Sequence, residues 1–149
     1  MIRVTIPPGY PVPFCFDLGQ RNATLTSAKL VRGSGVWPWL DSLTLARPRG
    51  CDLLHTLNAV PLATRTPYVV TFESYLPRVP DDRYSPGWER FLMRRLASPQ
   101  CRRLVAFSEY AMRQFEIQTA RHPGADRLLD KAELLYPAAP ITAAGPKDA

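Results

Sequence analysis

Two short runs, Asp52-Leu53-Leu54-His55-Thr56-Leu57-Asn58 and Pro67-Tyr68-Val69-Val70-Thr71-Phe72-Glu73-Ser74, constrain this chain more than anything else in it. A strand with one wet face alternates polar and apolar residues, whereas a strand buried on both faces reads as a nearly continuous apolar run. Both runs are of the second kind, which predicts strands over Asp52 to His55 and Tyr68 to Phe72 in a parallel sheet. Both also end in polar side chains. In an open α/β sheet the carboxyl ends of the strands are where ligand sites are built.

The rest of the chain supplies alternating elements. Ile2 to Ile6 predicts a short strand stopped by Pro7-Pro8-Gly9, and a Pro-, Gly- and aromatic-rich irregular segment follows to about Leu25. Leu25 to Leu30 predicts a turn or two of helix. A second helix is expected over Trp37 to Ala46, where Trp37, Leu40, Leu43 and Leu45 fall near helical spacing. A long polar, Pro-rich loop runs from Phe72 to Ser85. Ser85-Pro86 then opens a helix with Trp88, Phe91, Leu92 and Leu96 on one face and Glu89, Arg90, Arg94 and Arg95 largely on the other. Leu104 to Phe107 is the next strand, and Ser108-Glu109 caps a helix with Ala111, Met112 and Phe115 on its apolar face. Pro123 to Leu129 predicts a short helix and Glu133 to Tyr136 a last strand. This order predicts an α/β fold, a Rossmann-like, doubly wound and mostly parallel sheet, as one domain over residues 1–137 with a linker-like tail over 138–149.

Composition narrows the class. The 149 residues are 46% hydrophobic, enough for a core, and no apolar run reaches the roughly 20 residues that cross a bilayer. The expectation is a soluble, cytoplasmic protein. Its three cysteines, Cys15, Cys51 and Cys101, are widely spaced without CxxC or paired histidines, which predicts reduced, half-buried thiols and no metal site. The net charge of +6 comes almost wholly from arginine. It admits phosphorylated ligands or anionic headgroups as partners. Nucleic acid is not expected, since no RNP, helix-turn-helix or zinc pattern is present. GxGxxG, GxxxxGK[ST] and GxSxG are absent, so no cofactor is expected and hydrolase triads have no support.

Five residues are candidates for ligand contact. His55 and Asn58 are expected just beyond a strand end, where they bind a sugar or phosphate or else cap the strand and shape the turn. Glu73 directly follows the Val-rich strand, where a carboxylate serves as general base, orients a hydroxyl or simply belongs to the loop. Ser108 is an anion or hydroxyl binder at a helix N-terminus or a plain cap. Arg78, with Arg83, lies in the long loop, either clamping phosphate or merely solvated. Trp37, Trp39, Tyr75 and Tyr84 are available for sugar stacking or core packing. His122, before Pro123, reads as a helix-boundary residue.

Four segments in order carry a resemblance: Asp52-Leu53-Leu54-His55-Thr56-Leu57-Asn58, Pro67-Tyr68-Val69-Val70-Thr71-Phe72-Glu73, Leu104-Val105-Ala106-Phe107-Ser108-Glu109-Tyr110 and Lys131-Ala132-Glu133-Leu134-Leu135-Tyr136-Pro137. Over roughly Gly50 to Pro137 the chain resembles the N-terminal domain of GT-B glycosyltransferases, in particular glycosyltransferase family 4. That resemblance implies an acceptor-side domain of a retaining enzyme that moves a sugar from a nucleotide-sugar donor to a glycan or lipid-linked acceptor. It further implies a second domain holding most of the donor, and contact with the inner membrane surface through the arginine-bearing helix from Ser85 to Ala97. Glu73 then stands as the catalytic candidate, with His55, Asn58, Arg78 and Ser108 as substrate contacts. The chain departs from the family in having Glu73 where many members have histidine, and Pro7-Pro8-Gly9 where they have a glycine-rich loop. The alternative is a non-catalytic sugar-, phosphate- or protein-binding half-domain.

Overall fold

The computed structural model describes residues 2–6, 23–27, 31–32, 43–45, 50–62, 64–78 and 85–136. Cys15, Trp37, Trp39, Arg83, Tyr84 and the tail over 138–149 lie outside the described residues. The fold is α/β. Strands β1 (Ile2–Ile6), β2 (Ala23–Ser27), β5 (Leu53–Leu57), β7 (Tyr68–Phe72), β8 (Cys101–Ala106) and β9 (Ala132–Leu134) form one six-stranded sheet in the order β2-β1-β5-β7-β8-β9. Every neighbouring pair is parallel. From β1 the chain steps one way to β2, then returns past β1 and runs the other way through β5, β7, β8 and β9. The order therefore reverses between β1 and β5, as in Rossmann-like sheets. A smaller sheet, β3-β4-β6, is built from β3 (Val31–Arg32), β4 (Leu43–Leu45) and β6 (Val60–Leu62).

Three sequence expectations are corrected. The helix expected from Leu25 falls in part on β2, whose residues pair with β1 from Ile2↔Ala23 to Ile6↔Ser27. In Ala23-Thr24-Leu25-Thr26-Ser27 the β-branched threonines suit a strand, and the partner that decides the matter is far away in sequence. The second expected helix, Trp37 to Ala46, ends on strand β4 instead, which pairs with β3 and β6. The strand expected to stop at His55 continues to Leu57, which moves His55 from beyond a strand end into the strand itself. Strand β6 was not anticipated because Pro61 interrupts it. Proline is tolerated there because β6 is an edge strand of the small sheet.

Helices α1 (Pro86–Ala97), α2 (Glu109–Thr119) and α3 (Ala125–Leu129) all pack on one face of the large sheet. Parallel register places Leu54, Tyr68, Val70, Phe72, Leu104 and Ala106 on that face, and they share one core with Leu92, Met93, Leu96, Ala111, Phe115 and Leu128. Phe72 and Phe115 meet with ring centroids 5.2 Å apart. Each such fully buried side chain contributes roughly 1.5–3 kcal/mol of apolar transfer. Two polar groups at the amino edge are paired within this packing. Tyr68 donates its hydroxyl proton to the Arg95 carbonyl at 2.7 Å. The Lys131 ammonium caps the end of α1 by donating to the carbonyls of Leu96 and Ser98 at 3.1 and 2.7 Å. Cys101 is a free, buried thiol pushed up to about 12 by desolvation, and Cys51 is free and half-buried.

The opposite face carries Val4, Ile6, His55, Thr71 and Val105, all buried as well. The sheet is thus covered on both sides, which is why its strands read as apolar runs without alternation. None of the described helices is long and apolar enough to cross a membrane.

Candidate functional site

The carboxyl edge of the sheet begins where β5 ends. Asn58 has φ of +53°, in the left-handed region that asparagine enters more readily than most residues. This turns the chain out of the large sheet toward β6, while the Thr56 hydroxyl donates to the Ala59 carbonyl at 2.7 Å and closes the turn. The Asn58 backbone N–H donates to the Thr71 carbonyl at 2.8 Å, so the turn is seated on the neighbouring strand.

Its side chain then grips the end of β7. The Glu73 backbone N–H donates to Asn58 Oδ1 at 3.1 Å, and Asn58 Nδ2 donates to Glu73 Oε2 at 3.3 Å. Two residues fifteen positions apart in sequence are joined as a unit at the ends of adjacent parallel strands. Asn58 is half-buried and Glu73 exposed. The pair therefore presents an oriented carboxylate to solvent.

One strand further along, the Phe107 N–H donates to the Phe72 carbonyl at 3.0 Å and carries Ser108 to the same edge. The Ser108 hydroxyl accepts from the Ala111 N–H at 3.1 Å. Ser108 is thus the N-cap of α2. Glu109 in the first turn already places a carboxylate at the positive end of the helix dipole and accepts a hydrogen bond from the Tyr136 hydroxyl at 3.0 Å. That contact raises the Tyr136 pKa. An anion arriving at this helix end would meet the Glu109 carboxylate beside it.

His55 does not join this edge. It lies within β5, 6% exposed, on the face away from the helices, and desolvation pushes its imidazole down from 6.5 to about 4. The ring is neutral at physiological pH and belongs to the sheet's packing. Arg78 is exposed on the segment that follows Glu73, and Tyr75 is half-exposed beside it.

A second cluster escaped the sequence reading. Glu89, expected on the face opposite Trp88, Phe91, Leu92 and Leu96, is 5% exposed. Its Oε1 accepts from Gln118 Nε2 at 3.1 Å, and its Oε2 stands 3.5 Å from His122 Nε2. These groups line a cavity of about 350 Å³ between the start of α1 and the end of α2, together with Arg90, Arg121 and Ile117. The signal was available in the spacing. Glu89 precedes Leu92 and Met93 by three and four residues and so shares their face. His122 lies between α2 and α3, the boundary position the sequence indicated.

Among the described residues no group of three or more His, Cys, Asp or Glu side chains is placed to hold a metal ion. No family model, curated protein or solved structure matches the chain.

Proposed function

We propose that this chain is the acceptor-side domain of a GT-B-type glycosyltransferase, and that Asn58 and Glu73 form its acceptor-contacting wall. The observation that carries the reading is the Asn58–Glu73 unit at the carboxyl ends of β5 and β7, next to the point where strand order reverses. Ligands of open α/β sheets settle in that crevice. The four family-like segments of the sequence include both residues.

In this reading the Glu73 carboxylate accepts a hydrogen bond from an acceptor hydroxyl and holds it in line with the donor's anomeric carbon. Asn58 fixes the carboxylate, so that little orientation is lost when the acceptor arrives. The donor nucleotide sugar is held mainly by a second domain. The acceptor is a glycan or a lipid-linked saccharide, and the membrane surface is where the lipid-linked kind would be met. A non-catalytic sugar- or phosphate-binding module is the second reading. It is favoured by the burial of His55 within β5 and the capping hydrogen bond of Ser108, which leave Asn58 and Glu73 as the principal polar contacts among the described residues of this edge.

Calorimetry and amide-shift mapping of the chain against a panel of oligosaccharides and of uridine- and guanosine-diphosphate sugars test the proposal. Oligosaccharide binding should perturb the amides around Asn58 and Glu73, weaken in Glu73→Gln, and exceed any binding of the nucleotide sugars. Micromolar nucleotide-sugar binding, or saccharide binding unchanged by Glu73→Gln, would overturn the acceptor-side assignment.

A further inference from the structure

The cavity between α1 and α2 is separate from the Asn58–Glu73 edge and has its own chemistry. Burying a carboxylate costs several kcal/mol unless it is paired, and Glu89 is paired twice, by Gln118 and by His122. Gln118 is itself pinned. Its Nε2 also donates to the Pro77 carbonyl at 3.2 Å, and its Oε1 accepts from the Leu76 N–H at 3.3 Å. The amide cannot turn without breaking these contacts, so Glu89 and His122 are held in fixed orientation at the cavity wall. Such preorganisation is what a binding site needs from its supporting shell. Packing α1 against α2 does not need it, since an apolar residue at position 89 would complete the face of Leu92 and Met93 at lower cost.

Each member of the pair has an arginine next to it in sequence at the cavity wall, Arg90 after Glu89 and Arg121 before His122. Both arginines are exposed, so each guanidinium reaches a ligand from the solvent side without first being desolvated. Their fork geometry matches phosphate oxygens. Deeper in, carboxylate and imidazole offer acceptors and donors for hydroxyls, and Ile117 supplies an apolar surface for carbon. A volume of about 350 Å³ lies at the small end of ligand sites.

From this arrangement we infer a binding site for a phosphorylated small polyol, its phosphate held by Arg90 and Arg121 and its hydroxyls by Glu89 and His122. The site is independent of the glycosyltransferase reading and stands or falls separately from it.

Titration calorimetry and amide-shift mapping with glycerol 3-phosphate, inorganic phosphate and glycerol test the inference on the intact chain. Glycerol 3-phosphate should bind about tenfold more tightly than inorganic phosphate, with shifts centred on Gln118, His122 and Gly124, and glycerol should give no heat. The exposed pair Arg90→Gln/Arg121→Gln should fold normally and lose about tenfold or more in affinity. Glu89→Gln should abolish the ester's advantage over inorganic phosphate while inorganic phosphate still binds. No binding by the native chain, undiminished binding by the double arginine variant, or shifts centred on Asn58 and Glu73 instead would overturn it.

Discussion

At the scale of single residues, His55 shows how a side chain's chemistry is decided by one step of register. Placed beyond a strand end it would be a sugar ligand. Within β5 it is a neutral ring in the sheet's far face, with its pKa lowered to about 4 by burial. The linkage follows directly. Above pH 6.5 the ring is neutral in both folded and unfolded chains and adds no pH dependence. Between pH 6.5 and about 4 the unfolded chain takes up a proton that the folded one refuses, so stability falls with pH across that window. At about 1.4 kcal/mol per pH unit the loss amounts to about 3 kcal/mol. His55→Gln removes the titrating group. Urea unfolding at pH 7 and pH 4 should therefore show a smaller acid loss in the variant than in the native chain, by about 3 kcal/mol; equal losses would mean that the ring is hydrated in the fold.

At the scale of elements, the two longer helices begin with the same signal and differ in how they use it. Ser108 accepts a hydrogen bond from Ala111 N–H, whereas Ser85, the N-cap of α1, makes no such side-chain bond. Ser108→Ala should cost about 1 kcal/mol and Ser85→Ala only a few tenths, as measured by thermal unfolding; equal costs would show that Ser85 caps α1 in solution. Both helices were legible because caps, Pro86 and the i, i+3, i+4 spacing are local properties. Strand β7 was legible for a similar reason, its Val-Val core being bounded by Pro67 and Glu73. Strands β2, β4 and β6 were not, because their partners lie at a distance: β2 is fixed by β1, and β6, despite Pro61, by β4. The site divides along the same line. Asn58 and Glu73 were found one by one from their positions after apolar runs, but their hydrogen bonds to each other depend on β5 and β7 being adjacent. Glu89 groups by charge with Arg90, Arg94 and Arg95, yet it is buried beside Leu92 and Met93. Its membership of the Leu92–Met93 face was the better guide.

At the scale of the whole molecule, stability is concentrated where the core is continuous. Strands β7 and β8 lie inside the sheet, with α1, α2 and α3 packed on one face through a single cluster that includes Phe115. Strand β9 is an edge with half-buried or exposed side chains throughout. The amide of Val70 should therefore exchange with solvent only through global unfolding, at a free energy equal to that from urea titration, whereas Glu133 should exchange through local fraying at a lower one. Phe115→Ala supplies the test. Emptying the contact with Phe72 costs about 3–5 kcal/mol, and because that loss is global it should lower the protection of Val70 by the same amount. The opening of β9 breaks its pairing with β8 and leaves the Phe72–Phe115 contact intact in both open and closed forms, so protection at Glu133 should be unchanged until global unfolding becomes the easier route. Parallel loss of protection at Glu133 and Val70 would show instead that the edge strand and the core open as one cooperative unit.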